Sequence, residues 1–522
     1  MGLFQAGRTS IAVVMNIITL FGGVALSTTA AFAQKTEPPA TPAETVAAPV
    51  PVAAPAPIAT APVVMLSDLH FDPFYDPGKF KRLRSEPVSA WRGILSTPDS
   101  PTQVAGSVSL MAACKTRGSD SPWTLIESSL AAAHEQSPRA LFVTVSGDLL
   151  VHGFDCRFKA LTHGAAQAES SKFAAKTVAF LESEFHRTFE RTPVYVALGN
   201  NDSGCGDYKE DPGGDFLQSV AESFGEVLEA PADRKDWIHA FTANGDYSVE
   251  LPKPIAHGRL IILQNLFLSR MYTRCNGKPD ATQGAAQLQW LRTELAAAHA
   301  KHEQVWVMAH IPPGVDLYST FARSRDVCAG QPPEMFLRDE KLVEVLTDFA
   351  ADIRLAIFAH THMDEMRLLY GKTLPRKGTA STASAKPPWV AAKLVPSISP
   401  INGNYPAFIL ADVNPQTASL RDYRVVAADN KSGVAANWKE SYRYSTTYHS
   451  SGYTPENLAV ILTAFKGDKE SASPQSEAYE KNFFVGGGLR AMAIRLVWPA
   501  YVCSIENNTA AGYRACLCPA KP

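Results

Sequence analysis

Five short apolar runs along the chain, rich in β-branched residues, each stop abruptly at a polar cluster. Pro62-Val63-Val64-Met65-Leu66 meets Ser67-Asp68-Leu69-His70, and Ala140-Leu141-Phe142-Val143-Thr144-Val145 meets Ser146-Gly147-Asp148. Pro193-Val194-Tyr195-Val196-Ala197-Leu198 runs into Gly199-Asn200-Asn201-Asp202. Val305-Trp306-Val307-Met308-Ala309 ends at His310-Ile311-Pro312-Pro313-Gly314, and Leu355-Ala356-Ile357-Phe358-Ala359 at His360-Thr361-His362. Runs this continuous are what strands need when a sheet is covered on both faces. Between them, apolar residues recur at helical spacing over Trp123 to Glu135, Lys172 to Glu190, Gln283 to His302 and Lys341 to Ala350. Strands alternating with helices predict an α/β fold, in which ligands bind at the carboxyl ends of the strands. The five polar clusters are therefore expected to converge. Because they run from Asp68 to His362, they belong to one domain of about 300 residues or more.

The two ends of the chain break this pattern. Arg8 precedes an apolar run from Ile11 to Leu26, interrupted by Asn16, and Ala31-Phe32-Ala33 offers a small-x-small cleavage site before Gln34. Residues 1–33 read as a secretory signal peptide, the run being short for a membrane span. Residues 34–62 hold 8 Pro and 9 Ala in 29 positions and no spaced large apolar side chains, which is linker composition. The main α/β domain is expected over residues 63–425, and the Tyr-, Ser- and Asn-rich stretch 426–522 as a smaller C-terminal extension packed on it. No later segment has 18 uninterrupted apolar residues, so an exported protein, periplasmic or secreted, is expected.

Composition narrows the function. With 46% hydrophobic and 19% charged residues in 522, the chain has enough apolar surface for a sizeable core, and wholesale disorder is excluded. A balance of 49 basic against 51 acidic residues gives a net charge of −2, so no nucleic-acid polymer is expected as partner. The 8 cysteines suit four bridges in an oxidising compartment, with 105 connectivities open.

The strand ends supply Asp68, His70, Asp148, Asn200, His310, His360 and His362. All are oxygen or nitrogen donors and none is cysteine, which suits Zn first, then Mn, Fe or Co, over a structural zinc site. Any one of them alone reads more readily as a capping or core-satisfying group. Seven together at five strand ends have no fold-level explanation. They are too many for one open-site ion, whereas two divalent ions sharing a carboxylate use them all. Two cations a few Å apart suit in-line phosphoryl displacement, so phosphoester hydrolysis is the expected reaction.

These motifs resemble those of the calcineurin-like metallophosphoesterases, whose pattern is D-x-H, G-D, G-N-H-D/E, a lone His and G-H-x-H. The resemblance spans roughly Val63 to Asp412. Within that superfamily the chain is similar to the acid sphingomyelinase-like phosphodiesterases, through Leu66-Ser67-Asp68-Leu69-His70, His310-Ile311-Pro312-Pro313-Gly314, Ala359-His360-Thr361-His362-Met363-Asp364-Glu365 and the spacing from Gly147-Asp148 to His152. It implies a metallophosphoesterase-type two-sheet sandwich flanked by helices. It also implies one metal on Asp68, His70 and His362, another on Asn200, His310 and His360, with Asp148 bridging and a hydroxide between the metals as nucleophile. Asn201 stands where the family has His; it can donate a hydrogen bond but cannot be a general acid. His152 is the substitute the resemblance implies, as acid or as a support for the phosphoryl oxygens. The G-N-N-D version is also similar to endopolyphosphatases. Ala359 for Gly before His360 adds one methyl group and is expected to be tolerated.

The expected substrate is a small-molecule or lipid-headgroup phosphodiester, the latter with transient contact to a membrane surface. Nucleotide-type esters and polyphosphate stay open, as does a catalytically silent metal-containing binding protein. That last reading is disfavoured by the retained Asp148 and the full histidine set. Phe71, Phe74, Tyr75, Phe154, Tyr208, Tyr318, Asn402 and Asn404 are candidates to face substrate, and core packing explains most of them equally well. Relatives of the resembled subgroup carry cysteines near the positions of Cys275 and Cys328, which lie in excursions beside consecutive strands; these two are expected to pair. Cys503, Cys516 and Cys518 are expected to tie down the C-terminal end. Gly371-Lys372-Thr373 lacks the upstream glycine of a phosphate loop, Met366 standing there.

Overall fold

A computed structural model describes residues 60–227, 234–371, 388–486 and 491–518. The expected signal peptide and all but the last three residues of the expected linker lie outside them. Among the described residues, twelve strands form two six-stranded sheets. In chain order they are β1 (Ala61–Leu66), β2 (Phe142–Val145), β3 (Val194–Val196), β4 (Tyr247–Glu250), β5 (Gly258–Leu263) and β6 (Gln304–Ala309). The second half comprises β7 (Ile353–Phe358), β8 (Glu365–Tyr370), β9 (Trp389–Leu394), β10 (Ala407–Val413), β11 (Leu420–Ala428) and β12 (Trp438–Arg443). The first sheet has the order β12-β11-β10-β1-β2-β3 and the second β4-β5-β6-β7-β9-β8. β1 to β3 run parallel, as do β5, β6, β7 and β9, with antiparallel neighbours at the outer positions. The α/β reading holds, with two sheets flanked by helices.

The apolar runs are continuous because alternate side chains serve two cores. Along β6, Trp306 and Met308 face the first sheet, where the Trp306 ring meets Phe142 edge-on at 5.7 Å. Val305, Val307 and Ala309 face the other way, onto the helices Thr282–Ala300 and Lys341–Asp348. The helix expected from Lys172 begins at Gln167 and ends at Phe189. Its polar first turn carries no apolar signal, but Gln167 is held by Asp155 and by the carbonyl of Gly204.

Three of the residues expected to face substrate are core instead. Phe71, Phe74 and Phe154 are at most 1% exposed, packed among Phe80, Trp123, Phe173 and Phe180. Four helices converge on this patch, and only their packing reveals that the rings are covered. Asn404 is also buried and braces its own loop through Ser399 O at 3.0 Å. Tyr318 is exposed beneath Arg117, and Asn402 lies on the surface.

The change of composition at residue 426 falls inside β11. β11 and β12 form the outer part of the first sheet, with half-exposed faces that carry Tyr, Arg and Glu. Beyond them, helices Pro455–Gly467 and Trp498–Glu506 cover β8.

The disulfides are Cys114–Cys156, Cys205–Cys275, Cys328–Cys518 and Cys503–Cys516. The expected Cys275–Cys328 pair is therefore not formed. The loop after β3 runs beside Thr273, which exchanges backbone hydrogen bonds with Tyr208 and Glu210, and this brings Cys205 to Cys275. Tyr513 of helix Ala510–Leu517 packs with Val315 and Val327, and presents Cys518 to Cys328. Excursions next to neighbouring strands need not touch one another.

Candidate metal centre

Every expected ligand sits in the turn that leaves a strand: Asp68 and His70 after β1, Asp148 after β2, Asn200 after β3, His310 after β6, His360 and His362 after β7. The turns are bound to one another through the backbone. Asp68 N donates to Gly147 O at 3.0 Å and His70 N to Asp148 O at 2.9 Å. Ala359 N donates to His310 O at 2.9 Å, and Ser399 N to Asp68 O at 3.0 Å. Asp68, His70, Asp148, His360 and His362 all have positive φ, between 42° and 72°. Non-glycine residues rarely adopt that region, which costs of order 1–3 kcal/mol each. Such strain persists only where surrounding structure holds it, and here it turns five donor side chains into one space. Two glycines make the fit possible. A Cβ on Gly147 would stand 2.7 Å from His310 Nδ1, and one on Gly199 would stand 2.1 Å from Asp148 Oδ1.

The side chains meet closely. His70 Nε2 lies 3.1 Å from His362 Nε2 and 3.4 Å from Asp148 Oδ2, and His310 Nε2 lies 3.0 Å from the same Asp148 oxygen. Asp68 Oδ1 is 3.5 Å from His362 Nε2 and 3.8 Å from His70 Nε2. Three sets present donor atoms within 4.8 Å of one another: His70, His152 and His362; Asp148, His310 and His360; Asp68, His70 and Asp148. Asp148 thus faces both halves. Outer contacts aim the rings: His70 Nδ1 meets Leu150 O at 2.9 Å and His310 Nδ1 meets Ser146 O at 2.8 Å. A carbonyl there assigns the proton to Nδ1, so Nε2 points inward as a donor to a metal.

Asn201, expected as a catalytic candidate, clips Asp148 from the side: its backbone N donates to Oδ1 at 2.9 Å and its Nδ2 to Oδ2 at 2.7 Å. Asp202 receives the backbone N–H groups of Leu149, Leu150 and Gly199 and so locks two ligand turns together. Asn200 is buried in the same turn, its Oδ1 without a hydrogen-bond partner.

The electrostatics ask for positive charge. Burial pushes the Asp148 carboxyl up, but His310 and His70 hold it well below the usual carboxylate range. Burial and charge act likewise on Asp68, which His362 and His70 bring down. Against burial, Asp68 and Asp148 lift His70 to about 10, and Asp148 lifts His310 to about 9. Burial pushes His360 down to about 3 and His362 to about 4. The two carboxylates thus draw protons onto two imidazoles, the form of positive charge the chain itself can supply.

The donor set fits divalent ions. Asp68 Oδ1, Asn200 Oδ1, His310 Nε2, His360 Nδ1 and His362 Nδ1 are buried and lack hydrogen-bond partners, and unsatisfied atoms of this kind call for an explanation. Nitrogen and carboxylate oxygen donors without cysteine match transition-metal ligation.

Two further groups border the cage. His152 stacks on His70, ring centroids 4.0 Å apart, and its Nδ1 lies 3.1 Å from both oxygens of Asp120. Asp120 is buried, accepts from Ser399 Oγ at 2.8 Å, and His152 holds its carboxyl far below the usual range against the effect of burial. Tyr208 Oη sits 3.2 Å from His360 Nε2. Asn265 clamps the His310 turn, its Oδ1 accepting from His310 N at 3.2 Å and Ile311 N at 2.9 Å. Sequence reasoning missed Asp120 and Asn265. Neither lies in a motif, and a single polar residue after a strand or before Pro122 carries no signal of its own.

The calcineurin-like phosphoesterase family model matches residues 61–364. The chain belongs to that family and is a metal-dependent phosphoric ester hydrolase. It is similar to the acid sphingomyelinase-like phosphodiesterase 3b of Homo sapiens, 24% identical over 409 residues, covering 76% of this chain and 80% of that protein. It is also similar to the cyclic GMP-AMP phosphodiesterase SMPDL3A of Bos taurus, 22% identical over 407 residues, covering 76% of this chain and 81% of that protein. Among solved structures, a dimetal phosphatase from Danio rerio aligns over 76% of this chain and 99% of its own length, at 12% identity and a TM-score of 0.35.

Proposed function

We propose that this chain is an exported phosphodiesterase acting on small-molecule or lipid-headgroup diesters at a two-cation centre. The observation that carries the reading is Asp148 Oδ2, which faces His70 on one side and His310 on the other. Asp68, His70 and His362 would hold one ion, and Asn200, His310 and His360 the other, with Asp148 shared; zinc suits the histidine-rich set first. Divalent cations held there would supply Lewis acidity towards the phosphoryl oxygens and would lower the pKa of a bound water.

The chain's own residues do the rest. Asn201 fixes both oxygens of Asp148 and so performs a positioning task, which leaves proton delivery to another group. His152 is that group. Its side chain is 31% exposed at the cage, and Asp120 takes its Nδ1, leaving Nε2 as the ring position that gives its proton to the departing alkoxide oxygen as the P–O bond breaks. Diesters are favoured over monoesters because relatives over three quarters of the chain are named for diester cleavage. The absence of free cysteines among the described residues supports export. The domain reading goes with this: signal peptide 1–33, linker 34–62, then the enzyme.

Hydrolysis of bis-p-nitrophenyl phosphate by the metal-loaded chain, across roughly pH 4 to 9, tests the proposal against an Asp148→Asn control. Turnover well above the control is expected. If the two chains are equal, the reading of a silent binding protein replaces this one. A panel of sphingomyelin, dinucleotide and polyphosphate substrates then separates the lipid, nucleotide and endopolyphosphatase alternatives.

A further inference from the structure

A second cluster of buried polar atoms lies outside the candidate ligand set, where the turn before β4 meets the end of β5 and the helix Thr282–Ala300. Asp246, Gln264 and Gln287 are at most 3% exposed. Asp246 Oδ1 accepts from Gln264 N at 3.0 Å and from Gln287 Nε2 at 2.7 Å, and Gln287 Nε2 also donates to Gln264 O at 3.0 Å. Asn244 reaches the same carboxyl with a side-chain hydrogen bond. Gly245, at φ 73°, lets the turn close on Gln264; a Cβ there would stand 2.6 Å from Gln264 Oε1.

The hydrogen-bond account of this cluster does not close. Asp246 Oδ2, Gln264 Oε1, Gln287 Oε1 and Asn244 Oδ1 are four buried oxygens without a donor, while Gln264 Nε2 is the amide N–H group there without an acceptor. Asp246 has no ion pair among the described residues, and burial pushes its carboxyl up to about 7 against the hydrogen bonds from Gln264, Gln287 and Asn244. Four oxygens against one amide N–H is a surplus of acceptors that takes at least two waters, each donating twice, to fill. A cation removes it, because every oxygen can then act as a ligand.

We infer that Asp246, Gln264, Gln287 and Asn244 hold a hard, oxygen-seeking cation of the calcium class. Calcium takes carboxylate and amide oxygens in flexible arrangements, whereas magnesium demands a rigid octahedron and keeps its waters. Zinc, suited to the imidazoles of the other site, has no nitrogen or sulfur ligand here. One carboxylate among neutral oxygens sets a modest affinity, matched to the roughly 10⁻⁴–10⁻³ M range of extracellular calcium modules. The site also has a structural consequence. Gln264 is followed directly by Asn265, the clamp on the His310 turn, so an ion that fixes Gln264 steadies one wall of the metal cage.

The experiment strips the full chain with a chelator, reloads zinc to saturation, equilibrates with millimolar calcium and measures both metals by elemental analysis. The wild-type chain is expected to retain about one calcium, and Asp246→Asn and Gln264→Leu to lose it while keeping their zinc. Calcium is expected to raise the unfolding midpoint of the wild-type chain by about 3 °C and to leave that of Asp246→Asn unmoved. A wild-type chain that retains no calcium overturns the inference, as does an Asp246→Asn chain that retains as much as wild type. Diester hydrolysis is read separately at saturating zinc, so an inactive enzyme that still binds calcium counts against the proposed activity and not against this site.

Discussion

Between His360 and Glu365 the chain passes from one buried nest of charge to another, and the two nests are built on opposite principles. Behind the sheet, Asp364 is paired with the Lys393 ammonium and takes the Tyr442 hydroxyl at 2.6 Å. Glu365 takes the Tyr501 hydroxyl at 2.9 Å and lies 3.5 Å from the Arg367 guanidinium. These carboxylates meet an ammonium, a guanidinium and phenols, on backbone without positive φ, and none of their oxygens is both fully buried and without a partner. At the strand ends, Asp68 and Asp148 meet imidazoles, and Asp148 also meets the N–H groups of Asn201, which carry no charge. Five donor atoms there lack partners, and five residues sit at positive φ. A buried carboxylate given a lysine or an arginine fastens one segment to another; the same group given imidazoles on strained backbone is set up to coordinate.

Substitutions in each nest separate these roles. Asp148→Asn is expected to cut kcat/KM for a chromogenic diester by about 10³-fold or more, with the circular dichroism spectrum unchanged. Lys393→Met leaves Asp364 buried without its cation and is expected to cost about 3–5 kcal/mol in urea unfolding, while the specific activity of the folded fraction stays at the wild-type level. His152→Ala is expected to slow diesters with poor leaving groups by about 10²-fold or more and nitrophenyl esters far less; equal slowing of both rejects its part as acid. Gly199→Ala drives a methyl group onto Asp148 and is expected to weaken metal retention by about 10- to 100-fold in chelator competition. Tyr442→Phe removes one hydroxyl from Asp364, for a loss of about 1–2 kcal/mol in stability and none in metal content.

Much of the strand-end nest was legible in the sequence, and little of the fastening one. Strands covered on both faces announce themselves as unbroken apolar runs, and a polar residue at the end of such a run stands out. That is why Asp68, His70, Asp148, His310, His360 and His362 could be named and expected to meet. The half-wet strands β11 and β12 follow no such rule, so Tyr442 reads as mere composition. Whether Phe71 lines a pocket or a core depends on four helices packing over it, and which cysteines meet depends on loop paths that no periodicity records. Asp120 and Asp246 are single polar letters, given meaning only by neighbours distant in the chain.

The order of the first sheet bears on how the enzyme is made. β1, the earliest of the described strands in the chain, carries Asp68 and His70 at its end, and one of its two neighbours is β10, with Ala61 opposite Val413. A chain synthesised from its amino end therefore displays an unzipped strand edge, with two of the seven strand-end groups attached, until β10 has followed. Pairing of β1 with β10 is thus a late, long-range event in the folding of this chain.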